Sequence, residues 1–187
     1  MVRKNENMFE KTNLTSLSID LLKFLVRNPN KEFYIRELAR LTSSSVGGSY
    51  SALKYLYRTD LVERRRSGRN LYYKVNEKNS ALKYFKIFFN IQELSSLIKR
   101  IRQRCRKIVL FGSCATGEDT MESDIDLFIV ADNVKKIKDN IKVKYINQRE
   151  LKPIVITPHD LLELKNRDKA FYEEVDKGII LWRSSNE

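Results

Sequence analysis

Two aspartates, Asp124 and Asp126, stand one residue apart at the start of an apolar run that ends at Val130. Because side chains alternate along a strand, both carboxylates would project from one face while Ile125 and Leu127 enter the core. An ionised carboxylate at Asp126, flanked by apolar residues, is unfavourable unless something pairs with it. Two such carboxylates can hold one or two Mg²⁺ ions, which prefer oxygen ligands. The spacing therefore predicts a metal site at this strand.

A glycine and a serine, Gly112 and Ser113, follow the apolar run Ile108–Phe111. Glycine lets the backbone approach a phosphate, and the N–H groups from Ser113 onward stand where a helix begins. Taken alone, the pair fits an ordinary strand-to-helix turn, and Asp124 alone fits a helix cap. Their joint arrangement is the informative feature.

The stretch from Lys107 to Val130 resembles the minimal nucleotidyltransferases of the DNA polymerase beta superfamily, in which a strand ends in Gly-Ser and the next strand carries Asp-x-Asp. The resemblance extends to about Trp182. It implies that Asp124 and Asp126 are catalytic and bind Mg²⁺ in a single-metal or two-metal site, while Gly112 and Ser113 bind ATP or another NTP. Such ions stabilise in-line attack on the α-phosphate.

One expected feature of that superfamily is missing. Active members usually carry a third acid on a later strand, and the matching segment 151–157 contains none. Glu150 precedes this segment and is a weak match as a base, and Asp160 follows it. Pro153 indicates an edge position or the beginning of a strand. The sequence therefore leaves open whether the domain is catalytically active.

The first half of the chain resembles a winged helix-turn-helix domain over about Ser16 to Val75. Helices are expected at 17–26, 35–41 and 47–58, a short strand at 33–34, and a hairpin around the turn Ser67–Asn70. This resemblance implies binding of double-stranded DNA by the second helix of the motif and by the hairpin wing. The expected DNA-binding residues are Tyr50, Ser51, Lys54, Arg64, Arg65, Arg66 and Arg69, with Tyr55 as a further candidate.

The charge distribution favours the same partner. Residues 1–105 contain 22 Lys+Arg against 9 Asp+Glu, a net charge of +13, while residues 106–187 contain 14 against 15, a net charge of −1. A basic half beside a near-neutral half indicates that only the first half contacts a polyanion. Four arginines on one hairpin would make such binding weaken steeply as the salt concentration rises.

Other features exclude several classes of protein. No apolar run is long enough to cross a bilayer, and the polar stretch Met1–Glu10 is unlike a signal peptide. Cys105 and Cys114 have no metal-binding spacing, and His159 is the only imidazole. We therefore expect a cytoplasmic protein with reduced thiols, no membrane association, and a surface or capping role for His159.

The predicted fold is α+β, with a winged-helix domain at 14–78, a connecting helix at 79–105 and a small mixed-sheet nucleotidyltransferase-like domain at 106–187. In the long helix, apolar residues recur in steps of three and four from Tyr84 to Cys105. Packing within the protein and a homodimer through helix 81–104 explain this seam equally well. In the second half we expect strands at 108–111, 125–130 and 153–157, and a helix at 134–145.

Two functions fit these features. The first is a DNA-binding protein whose Mg²⁺-dependent domain transfers a nucleoside monophosphate to a hydroxyl, on a small molecule or on a protein such as a toxin partner, as in self-regulating toxin–antitoxin pairs. The alternative is a transcription regulator whose nucleotidyltransferase-like domain has lost catalysis and binds a nucleotide or a partner.

Overall fold

The computed structural model describes residues 14–185, so the stretch Met1–Glu10 lies outside the described residues. The chain divides into two compact units, residues 1–82 and 83–187. No helix within the described range combines the length and apolar character that crossing a bilayer requires.

The N-terminal unit has the order of helices and strands expected for a winged helix. Its elements are α1 (Ser16–Val26), β1 (Phe33–Tyr34), α2 (Ile35–Leu41), α3 (Val46–Arg58), β2 (Val62–Ser67) and β3 (Asn70–Val75). The three strands form one antiparallel sheet in the order β1-β3-β2. Apolar side chains from the helices and the sheet form the core, among them Leu21, Leu38, Leu53, Leu56 and Val62.

Side-chain caps fix where two of these helices begin. The hydroxyl of Thr15 accepts a hydrogen bond from the Ser18 backbone N–H, so Thr15 caps α1. Ser45 caps α3 in the same way by accepting from Gly48. Such caps pair backbone donors that a helix leaves unpaired in its first turn.

The wing is tighter than the sequence suggested. Strands β2 and β3 pair in register from Val62–Val75 to Ser67–Asn70, so the turn comprises only Gly68 and Arg69. Gly68 has a φ of 57°, a conformation that glycine adopts without a steric penalty. The predicted four-residue turn therefore includes Ser67 and Asn70, which form the strand pair next to the turn.

The C-terminal unit, together with the helix that leads into it, contains five strands and five helices among the described residues. The elements are α4 (Ala81–Ile101), β4 (Lys107–Phe111), α5 (Ser113–Thr116), β5 (Ile125–Val130), α6 (Val134–Asn140), β6 (Tyr145–Ile146), β7 (Arg149–Ile156), α7 (Pro158–Arg167), α8 (Lys169–Asp176) and β8 (Ile179–Arg183). A short 3₁₀ turn, Arg102–Arg104, follows α4.

These five strands form a mixed sheet in the order β6-β7-β5-β4-β8, in which only β5 and β7 are parallel. Odd-numbered residues of β5, such as Leu127, pack with α4, α5 and α6 on one face of the sheet. Even-numbered residues, such as Phe128, pack with Phe171 and Val175 of α8 and with α7 on the other. Asp126 shares the second face because strand side chains alternate.

Most of the predicted seam of α4 is used inside the C-terminal unit. Leu94, Ile101 and Cys105 are buried in its core, and Ile91 and Ile98 pack against that core. Tyr84, at the other end of the seam, is 68% exposed. The seam from Ile91 onward is therefore explained by intramolecular packing, and a homodimer through this helix stays a prediction.

The prediction of a helix at 134–145 is wrong at its C-terminal end. α6 ends at Asn140, and Tyr145–Ile146 pairs with Arg149–Glu150 as a short hairpin. Asn147 and Gln148 form its turn with φ values of 48° and 70°. The expected strand at 153–157 begins earlier, at Arg149. Since β6 pairs only with residues 149 and 150, Pro153 lies on a part of β7 that β6 does not cover, as its missing N–H requires.

Candidate functional site

The structure brings Gly112 and Asp126 into direct contact. Gly112 directly follows β4, and Phe111 of that strand pairs in register with Asp126 of β5. Gly112 has a φ of 65° and a ψ of −155°, a region that side chains exclude almost entirely. A Cβ at this position would lie 2.9 Å from Asp126 Oδ2. The glycine bend is therefore shaped to accept the Asp126 carboxylate.

We expect Gly112→Ala to displace the Asp126 carboxylate and to destabilise the C-terminal unit by about 1–3 kcal/mol, the strain of a side chain in this backbone region. Urea unfolding followed by the fluorescence of Trp182, the only tryptophan, would measure the change. Gly47→Ala is a suitable control, because a Cβ there would meet no atom within 4 Å other than its chain neighbours and the backbone of its own helix. An unchanged midpoint for Gly112→Ala would contradict this description of the bend.

Asp124 lies immediately before β5 and is half-buried, as is Asp126. Burial raises the pKa of the Asp126 carboxyl, and the neighbouring Asp124 carboxylate raises it further. Lys152 acts in the opposite direction, and Glu174 of α8 adds to the increase in the pKa. Two carboxylates thus repel one another at a partly desolvated position, which a bound cation would relieve.

Lys152 is the main feature of this site that sequence reasoning missed. It stands on β7 in register with Asp126, and its Nζ lies 2.5 Å from Asp124 Oδ2. Its hydrogen bond to Asp124, strengthened by the opposite charge, raises the pKa of the lysine. The segment 151–157 was notable for lacking an acid, but the parallel pairing that brings Lys152 beside Asp126 was not visible in the sequence.

Within residues 14–185, no third ligand joins Asp124 and Asp126, which we call the acid pair. The group of three potential ligands that the structure places within 4.8 Å of one another lies elsewhere, at the exposed residues His159, Asp160 and Glu163. Asp160 accepts hydrogen bonds from the backbone N–H and hydroxyl of Thr157, which lower its pKa. Asp160 is therefore a helix cap, and His159 lies exposed near Glu163.

Glu150 lies inside β7, although the sequence had placed it before the strand. Its carboxylate is 3.8 Å from Lys144 Nζ. Glu150 and Lys152 share one face of the strand because they are two residues apart. Glu150 thus faces the acid pair's side of the sheet without coming within ligand distance of both aspartates.

A buried ion network lies beside the acid pair and was also missed. The Arg149 guanidinium is fully buried and donates to Asp119 Oδ2 at 2.8 Å and to Glu93 Oε2 at 3.0 Å. Asn90 accepts from Arg149 and donates to Asp119 Oδ1 and to the Cys114 carbonyl. The network joins α4, the α5–β5 connection and β7, the segments around Asp124.

The Cys114 thiol connects this network to the acid pair. Arg149 donates to its sulfur at 3.4 Å, and the thiol donates to the Asp124 backbone carbonyl at 3.3 Å. Burial raises the pKa of Cys114 to about 11. A thiol of this kind stays protonated near neutral pH, which fits a packing and positioning role and argues against a reactive cysteine.

The donor set is suited to Mg²⁺. Asp124 and Asp126 supply carboxylate oxygens, and their mutual repulsion favours a cation between them. Ser113 begins α5 directly after the Gly112 bend and is half-buried. These four residues, which the sequence singled out together, therefore lie at one end of β4 and β5.

A second candidate site lies on the N-terminal unit. Tyr50, Ser51 and Lys54 are exposed on α3 as expected, while Tyr55 is half-buried. Tyr57, which the sequence analysis overlooked, is exposed on the same helix. The Arg64 guanidinium of the wing lies 4.4 Å from the centroid of the Tyr57 ring. A cation–π contact therefore joins the wing to α3.

The wing arginines do not form one patch. Val62 of β2 is buried in the core, and alternation places Arg64 and Arg66 on the same face of the strand. Arg65 is on the opposite face, where its guanidinium donates to Glu32 at 2.6 Å and lowers the pKa of that carboxyl. On that face Lys74 also pairs with Glu63, at 3.2 Å.

Arg69 is exposed at the tip of the wing. We call the exposed residues of α3 and of the wing that the text above names, apart from Arg65, the α3–wing face: Tyr50, Ser51, Lys54, Tyr57, Arg64, Arg66 and Arg69. Arg65 is left out because alternation places it on the opposite face of β2, where it pairs with Glu32.

Comparison with known proteins identifies the C-terminal unit. The family model described as "Polymerase beta, Nucleotidyltransferase" matches residues 92–187, which are 96 of the 187 residues. A 39-residue segment is 51% identical to a Methanocaldococcus jannaschii protein named "Putative protein adenylyltransferase". That segment covers 21% of this chain and 39% of the relative's length.

Two solved structures share a low overall similarity with the chain. The DNA-binding protein Sso10a-2 from Sulfolobus solfataricus is 16% identical, with a TM-score of 0.38 over 46% of this chain and 92% of its own. The adhesin competence repressor from Streptococcus pyogenes is also 16% identical, with a TM-score of 0.38 over 51% of this chain and 72% of its own.

Proposed function

Since the chain belongs to the polymerase beta nucleotidyltransferase family, we propose that it is a DNA-binding protein whose C-terminal unit binds an NTP with Mg²⁺ and transfers a nucleoside monophosphate to a hydroxyl. ATP is the proposed nucleotide. Asp124 and Asp126 hold the metal, and Gly112 and Ser113 contact the phosphates. The hydroxyl belongs to a protein, such as a toxin partner, or to a small molecule.

One observation carries this proposal: the Asp126 carboxylate fits against Gly112, so closely that a Cβ there would lie 2.9 Å from it. The acid pair and the glycine–serine bend therefore border the same space. A divalent cation held there would neutralise phosphate charge as the leaving pyrophosphate departs. The protein's own part is to bind and orient the nucleotide between the bend and the carboxylates.

The N-terminal unit supports the DNA-binding part of the proposal. The α3–wing face carries aromatic and basic side chains, and α3 is the second helix of the helix-turn-helix motif. Arginine, lysine and tyrosine donors suit phosphate contacts, which set affinity, while base contacts by α3 would set sequence preference. We propose that the bound site is an operator and that the protein regulates transcription, its own included.

Two observations favour the alternative, a regulator whose nucleotidyltransferase unit binds nucleotide without transferring it. Lys152 Nζ lies 2.5 Å from Asp124, and no third carboxylate joins the acid pair within ligand distance among residues 14–185. The Glu174 carboxylate of α8 raises the pKa of Asp126, so its charge also acts on this position.

The proposed transfer predicts that α-labelled ATP with Mg²⁺ and cell extract gives a labelled product with the parent protein. Asp124→Asn combined with Asp126→Asn should abolish both labelling and Mg²⁺-dependent ATP binding, because the metal loses both carboxylates. Asp139→Asn is the matched control, because Asp139 is an exposed residue of α6. This variant should label and bind ATP as the parent does.

The result separates the two functions. Labelling that persists in the double variant would show that the site is misplaced. ATP binding by calorimetry without any labelled product, lost in the double variant, would favour the regulator over the transferase.

A further inference from the structure

The acid pair has a resident cation. We infer that the Lys152 ammonium occupies the position beside Asp124 that a divalent ion would take, and that Lys152 thereby limits how tightly the pair binds metal. The inference deepens the proposed function, since it rests on Asp124 and Asp126 being the metal ligands.

Geometry places the two cations in competition for one oxygen. Lys152 Nζ lies 2.5 Å from Asp124 Oδ2, and a Mg²⁺ ion bound to that oxygen would lie about 2.1 Å from it. The ammonium and the metal ion therefore cannot approach Asp124 Oδ2 from the same side at the same time. Lys152 is also in register with Asp126 on the neighbouring parallel strand, so its side chain starts beside the second carboxylate.

The contact is also displaceable. The side chains of Lys152 and Asp124 are 54% and 35% exposed, and ion pairs that water reaches are weak. Lysine has a long flexible side chain, which allows the ammonium to leave Asp124 while its backbone stays in β7. A divalent ion can therefore enter, but it must displace the ammonium or bind beside a positive charge.

This arrangement limits the number of ions as well as their affinity. While Lys152 engages one oxygen of Asp124, three of the four carboxylate oxygens of the pair remain free. No third ligand lies within reach in the described part of the chain to hold a second ion. The structure thus assigns a one-ion site whose affinity Lys152 sets.

The test uses the full chain and Mn²⁺ alone, with free Mn²⁺ followed by electron paramagnetic resonance and no nucleotide present. Lys152→Met keeps most of the length and the flexibility of the side chain and removes its charge. We expect Mn²⁺ to bind about tenfold more tightly, the order expected when a unit charge about 4 Å from a divalent ion is removed from a solvated site. Adding Asp124→Asn should cancel this gain.

Lys144→Met is the matched control, because Lys144 is an exposed lysine of the same unit that pairs with Glu150. It should leave Mn²⁺ affinity unchanged. Lys152→Gln removes the same charge with a polar side chain and replaces Lys152→Met if that variant does not fold, as judged by Trp182 fluorescence.

Equal or weaker Mn²⁺ binding by the Lys152 variant would overturn the inference, as would a gain that survives Asp124→Asn or a second bound ion in the parent. The proposed function would fail separately. That failure would be absence of ATP binding and of labelled product, neither of which is measured in this titration.

Discussion

Replacing Arg149 with methionine is expected to lower the free energy of unfolding of the C-terminal unit by about 3–5 kcal/mol, the range for breaking a buried ion pair from one side. Arg149 is fully buried, and its removal leaves Asp119, which is also fully buried, without its closest cation. Lys86 Nζ, at 4.0 Å from Asp119, compensates only in part. Asn90 and Cys114 would each lose a donor as well.

Urea unfolding monitored by Trp182 fluorescence isolates this effect, since that tryptophan is in β8 of the C-terminal unit. Arg106→Met is the matched control. Arg106 pairs with Asp132 at 2.8 Å on the surface, and its loss should change stability by less than about 1 kcal/mol. If the two variants unfold alike, the network around Arg149 contributes far less than its burial indicates.

Changing Arg64 and Arg66 together to alanine is expected to weaken binding to duplex DNA by about 10- to 100-fold, the loss of two charged contacts. The plot of log affinity against log salt concentration has a negative slope, and its magnitude should decrease by about 2. The reason is that these two arginines share the face of β2 that is turned toward α3, where Arg64 lies over Tyr57. Fluorescence anisotropy with a mixed-sequence duplex at several salt concentrations would measure both quantities.

Arg65→Ala is the control, because Arg65 lies on the same strand between the two arginines that are changed. Arg65 is on the opposite face and is paired with Glu32, so its loss should reduce DNA affinity much less than the double change does. If Arg65→Ala has the larger effect, DNA contacts the other side of the wing. Equal affinity for all variants would remove the wing from the DNA interface.

Local patterns predicted the position of the acid pair but not its surroundings. Asp-x-Asp on an apolar strand placed Asp124 and Asp126 on one face, and Gly112 followed a neighbouring strand. These inferences needed only alternation along a strand and the steric freedom of glycine. Lys152 could not be placed in this way, because its position depends on which strand pairs with β5 and in which register.

The buried Arg149 network was hidden for a similar reason. Its members lie up to 59 residues apart in the chain, and Arg149 stands in a polar segment that reads as surface. The wing shows that prediction is also limited for residues that are neighbours in the sequence. The sequence analysis grouped Arg64, Arg65 and Arg66 as expected DNA-binding residues, whereas alternation directs Arg65 away from its neighbours and toward Glu32.

The charge is distributed differently when it is counted over the two compact units. Residues 1–82 contain 16 Lys+Arg against 8 Asp+Glu, a net charge of +8, and residues 83–187 contain 20 against 16, a net charge of +4. The contrast between the halves is therefore smaller than a division at Cys105 indicated, because the basic residues of α4 lie in the second unit. The α3–wing face therefore favours DNA binding more than the total charge of the first unit does.

The two cysteines leave this chain without a reactive thiol. Cys105 and Cys114 are both buried, and burial raises the pKa of each to about 11. At neutral pH only about one thiol in ten thousand would be ionised and able to attack a maleimide or a disulfide reagent. A cysteine introduced at the wing tip could therefore carry a dye or a crosslinker on an otherwise native protein.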